Sequence, residues 1–134
     1  LITSLLLPIA LFLPLAPAAE HDTLAGLTEG ARVMAFTPLG ERRAALEGWS
    51  GEDCVSRIAL RLEDGRTRTP EVDWSAPGLD FDAGRSGATV TIRAGFSGDA
   101  GGIEALGLRL ASEADAADAL RALRSLRMAC AAVR

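Results

Sequence analysis

Residues 54–72 constrain the fold more tightly than any other stretch. From Cys54 onward, Cys54, Ser56, Ile58, Leu60 and Leu62 share one parity, and Val55, Arg57, Ala59, Arg61 and Glu63 share the other. A period of two is the repeat of a strand with one buried face. Asp64-Gly65 follows, a pair suited to the positive φ angles of a tight hairpin turn. Arg66–Val72 then runs back along the first strand. A two-residue loop would set Glu63 against Arg66 and Leu62 against Thr67. That register gathers Arg57, Arg61, Arg66 and Arg68 on one outer face, beside Glu63.

Other segments repeat the pattern. Ala88–Phe96 alternates, with Ala88, Val90, Ile92, Ala94 and Phe96 inward and Thr89, Thr91 and Arg93 outward. Residues 105–111 place Leu106, Leu108 and Leu110 inward. Ala31–Phe36 reads as a short strand, closed by a turn at Pro38-Leu39-Gly40. Residues 41–49 fit either a helical turn or a strand paired with 31–36. A further short strand over 79–82 fits between turn-rich stretches.

The C-terminus reads as a helix. Ser112 can cap it, with Asp115 three residues on. Ala116, Leu120, Leu123 and Cys130, flanked by Ala119 and Leu126, form one apolar face. Acids precede and arginines follow along this segment, as the helix dipole favours. Strands followed by one helix make an α+β domain: an antiparallel sheet, open or partly closed into a barrel, with a C-terminal helix packed on it.

The chain holds two cysteines, Cys54 and Cys130. Strand parity turns Cys54 inward, and helix phase turns Cys130 the same way. The pair is expected to form a disulfide stapling the helix to the sheet. Such bonds persist in oxidising compartments.

Residues 1–18 point to the same destination. They carry no charge, and Pro8, Pro14 and Pro17 break the apolar run into short pieces. The run ends in Ala16-Pro17-Ala18, the small-residue pattern of a signal-peptidase site. The expected organisation is a signal peptide over 1–18, a flexible segment over 19–30 and one α+β domain over 31–134. Cleavage would leave no stable membrane span. The bias to Ala, Gly and Arg fits a GC-rich bacterial genome, so the expected location is periplasmic or secreted.

Composition narrows the chemistry. All 14 basic side chains are Arg, there is no Tyr, and the net charge is −4. No lysine nucleophile, Schiff base or tyrosine acid is available. A nucleic-acid partner lacks its electrostatic footprint. No catalytic residue and no cofactor is indicated. The only histidine is His21. If cleavage follows Ala18, it becomes the third residue of the mature chain, where amine, amides and imidazole can wrap Cu(II) or Ni(II) in a plane. Glu71/Asp73 and Asp80/Asp82 are i, i+2 carboxylate pairs, the basis of a small hydrolase. The leading expectation is a non-catalytic binding or accessory domain. Its partner, a protein or an anionic ligand, would meet a surface formed by Arg57, Arg61, Arg66 and Arg68. Trp49 and Trp74 would join that surface if exposed.

Overall fold

A computed structural model describes residues 17–84 and 87–131. The expected signal peptide thus lies outside the described residues except for Pro17 and Ala18. Helix α1 (Pro17–Thr28) leads into strands β1 (Arg32–Thr37), β2 (Gly40–Glu52), β3 (Val55–Leu62), β4 (Thr67–Asp73), β5 (Asp80–Ala83), β6 (Thr89–Arg93), β7 (Ser97–Asp99) and β8 (Ala105–Arg109). Helix α2 (Glu113–Ala131) follows. All strand pairs are antiparallel, in the order β5-β6-β8-β1-β2-β3-β4-β7. The α+β class and the C-terminal helix agree with the sequence expectation.

The sheet is strongly curled yet not closed. Strands β6 and β7 stand six places apart in the order, but only Ala94–Phe96 joins them. Six strand spacings on a flat sheet come to about 29 Å, whereas four Cα steps reach at most about 14 Å. The sheet must bend back on itself for that short link to reach. Strands β5 and β7 remain as its two edges.

Residues 40–52 are one long strand rather than a helical turn. The register slips between Leu46 and Gly48, so Glu47 bulges out. Leu46 and Trp49 are three residues apart, and an unbroken strand would send them to opposite faces. The bulge returns both to the core, where each is buried.

The inward parity of β3, β6 and β8 holds as read: Ile58, Leu60, Val90, Ile92, Leu106 and Leu108 are buried. Helix α2 places Ala116, Ala119, Leu120, Leu123, Leu126 and Cys130 in the same core. The Ser112 hydroxyl accepts the Asp115 N–H at 3.1 Å, so the predicted cap is present. At its other end α2 is fixed twice. Cys130 bonds to Cys54 in the β2–β3 turn, with Cα atoms 5.6 Å apart. The Arg127 guanidinium donates to the Trp74 and Ala76 carbonyls at 2.5 and 2.7 Å.

The N-terminal segment departs from expectation. Residues 19–30 were expected to be loose, yet most of them form α1. Its buried side chains, His21, Leu24 and Thr28, follow i, i+3, i+7 spacing. It packs on β2 and α2. Tertiary packing rather than a strong amphipathic pattern holds this helix.

The β3–β4 connection also differs by one residue. Leu60 faces Arg68 and Arg61 faces Thr67. The Leu62 N–H donates to Arg66 O at 2.8 Å, so Glu63, Asp64 and Gly65 form a three-residue loop. Gly65 takes φ 86°, the positive-φ position that such loops need. The Arg66 N–H, then its guanidinium, hold the Asp64 carboxyl below the usual carboxylate range. A depressed folded pKa contributes stability above the unfolded pKa, and that contribution fades as pH falls through the folded value. A carboxyl NMR titration should therefore find Asp64 protonating below a free aspartate.

Candidate functional site

The one-residue change in register divides the arginines expected to act together. Arg57 and Arg61 lie on the outer face, where Arg57 meets Glu71 at 3.8 Å and Arg61 meets Glu47 at 3.0 Å. Arg66 and Arg68 take the opposite parity, at the strand ends. Arg66 pairs with Asp64 at 2.7 Å and Arg68 with Asp99 at 3.2 Å. Each of the four therefore has an acidic neighbour. Trp49 and Trp74 are both buried, so neither is an exposed anchor beside them.

His21 sits inside the domain at 3% exposure. Its Nε2 lies 3.0 Å from Asp53 O, and its Nδ1 lies 3.1 Å from Ser56 Oγ. A carbonyl only accepts, so Nε2 carries the proton and Nδ1 accepts the Ser56 hydroxyl. The Trp74 indole N–H donates to the same Ser56 oxygen at 2.8 Å. Each polar side-chain atom in this run from Trp74 through Ser56 to His21 has a partner. Ser56 is fully buried, and the indole N–H occupies an oxygen lone pair, so the Ser–His pair is built as structure. The wrapped Cu(II) or Ni(II) site would need a loose chain and a free imidazole. Residues 19–21 are helical and both ring nitrogens are bonded. A metal site of another kind, built on three or more His, Cys, Asp or Glu side chains, is not found among the described residues.

The carboxylate pairs lie on different strands, and each pair meets an arginine. Glu71 and Asp73 lie on β4, next to one edge of the sheet, while Asp80 and Asp82 lie on β5, the opposite edge strand. Asp80 and Asp82 each stand 3.7 Å from Arg93, and Glu71 faces Arg57. The arrangement answers charge with charge.

A different cationic surface emerges on the outer face of β6, β8, β1 and β2. The registers set its map. Thr89, Arg109, Arg32 and Ala45 lie across one row. Thr91, Gly107, Met34 and Arg43 lie across the next. Arg93, Ala105, Phe36 and Glu41 complete it. These rows border a groove of about 640 Å³. Its cationic end holds Arg32 directly opposite Arg109, both exposed. Like charges directly across a ladder are destabilising. Among the described residues, no carboxylate lies within 4.0 Å of either. Arg43 adds a third guanidinium, reaching Glu63 only at 3.8 Å in an exposed contact that solvent weakens.

The sequence contained part of this site. Thr89 and Thr91 are read as outward-facing, and Arg32, Met34 and Phe36 alternate along a predicted strand. The missing signal was the pairing of β1 with β8, which brings residue 32 against residue 109. Compared with protein-family models and with curated proteins, the chain matches none.

Proposed function

We propose that this protein is an exported, non-catalytic binding domain that receives an anionic ligand at Arg32 and Arg109. The observation that carries the reading is their placement: two exposed arginines stand directly opposite across a ladder, with no carboxylate of the described residues within 4.0 Å of either. An anion between them would relieve the repulsion and gain charge-assisted hydrogen bonds. The groove volume falls in the usual range for small-molecule sites. The Cys54–Cys130 bond supports residence in an oxidising compartment. The uncharged leader favours a periplasmic or secreted address within that class. A hydrolase or an N-terminal metal site gains no comparable support.

Inorganic phosphate is the direct probe. At constant ionic strength and about ten times its Kd, phosphate should raise the Tm of the wild type by roughly 5 °C relative to chloride. The Arg32→Ala/Arg109→Ala variant should fold, because both side chains are exposed and neither forms an ion pair among the described residues, yet lose the shift. An equal shift in both proteins would place the anion elsewhere and end the reading.

A further inference from the structure

We infer that the ligand is an anionic amphiphile, with its carboxylate or phosphate head at Arg32 and Arg109 and its apolar body along Gly107, between Met34 and Phe36. This inference rests on the anion-binding reading above and names the ligand class.

The surface changes character along β1. Arg32, Met34 and Phe36 are successive outward residues of one strand, so charge gives way to thioether and then to aromatic ring. Their Cα atoms span about 14 Å in an extended strand. Strand β8 runs antiparallel beside it and matches the gradient: Arg109 faces Arg32, Gly107 faces Met34, and Ala105 faces Phe36. The small residues on β8 leave a trough against the larger ones on β1. Met34 and Phe36 are only half-buried, so they keep apolar surface available.

Gly107 forms the floor for want of a side chain, not because the backbone demands glycine. Its φ is not positive. A Cβ built there would meet Phe36 Cε2 at 3.6 Å and Met34 O at 3.8 Å, ordinary contact distances. Glycine in a strand interior weakens it and commonly marks the close approach of a ligand or another backbone. Here the Phe36 ring leans toward Gly107 and walls one side of it, and both residues line the groove.

The acids near this face lie away from the head position. Asp82 sits opposite Thr91 and engages Arg93, while Glu63 engages Arg43. A free single-chain ligand fits better than a bilayer surface. The exposed large apolar side chains, Leu39 and Met128, do not line this groove, and its own apolar residues are recessed.

Isothermal titration with octanoate, acetate and octyl glucoside tests the inference on the full folded domain. Octanoate should bind at least about tenfold more tightly than acetate, since part of its chain leaves water. Octyl glucoside, with an alkyl chain one carbon longer and no charge, should bind more weakly than octanoate. Gly107→Val should fill the trough while favouring the strand. It should cut octanoate affinity about tenfold and leave the phosphate-induced Tm shift intact. Should phosphate bind through Arg32 and Arg109 while octanoate binds no better than acetate, the amphiphile inference fails and the anion reading stands. Should phosphate fail to bind there, both fall. Binding to phosphatidylglycerol vesicles without binding of free octanoate would overturn the proposal in favour of a membrane surface.

Discussion

Cys54→Ala/Cys130→Ala should lower the stability of the domain by about 4.5 kcal/mol in the chain-entropy account of cross-links. The bond closes a loop of 76 residues, which makes the unfolded chain's loss of freedom large. For a domain of this size the loss corresponds to a Tm drop of roughly 15–25 °C. The position of the bond strengthens the expectation. It joins the β2–β3 turn to the last turns of α2, and α2 carries a large part of the apolar core. Without the bond, Arg127 and the alanine–leucine face must hold that end alone. Thermal unfolding with and without dithiothreitol checks this. Reductant should destabilise the wild type to the level of the variant and leave the variant unchanged. A loss below about 1 kcal/mol would mean that packing already fixes the helix end and that the loop-closure argument does not apply.

His21→Ala should cost about 3 kcal/mol, measured by urea unfolding. The substitution removes a buried ring, takes the donor from the Asp53 carbonyl and takes the acceptor from the Ser56 O–H, whose oxygen keeps the Trp74 indole. The ring also fills the space above Gly51, where an added Cβ would lie within 2.1 Å of it. Its bond to Asp53 steadies a residue at φ 54°, the left-handed region that side chains other than Asn and Asp seldom enter. Ser56→Ala should cost about 2 kcal/mol, because the Trp74 indole N–H then loses its acceptor. The two changes act on one network, so the double variant should be less destabilised than their sum. Simple additivity, or a cost below 0.5 kcal/mol for His21→Ala, would show that these groups do not work as a unit.

The helix at 113–131 and the core parity of three strands were legible because each depends on local periodicity. Cys54 and Cys130 could be paired because they are the only two candidates and both lean toward the core. What escaped reading depends on events outside a short window. The bulge at Glu47 gives Leu46 and Trp49 a spacing that imitates a helix. The Asp64-Gly65 turn takes one residue more than a two-residue loop, and that single step moves Arg66 and Arg68 to the other face. Helix α1 has little apolar pattern of its own, and its burial relies on β2 and α2. The groove at Arg32 and Arg109 needs a pairing between the first and last strands, which no local pattern encodes.

An open sheet exposes two rims of unsatisfied backbone donors and acceptors, the usual template for runaway association between copies. Here the rims are blunted. The β5 rim offers four residues and the β7 rim three, too little length for a stable added strand. Asp80 and Asp82 mark one rim and Asp99 the other, and Gly98 at φ 68° bends the β7 rim away from regular geometry. A sheet that stops short of closure is thereby kept from recruiting its own kind.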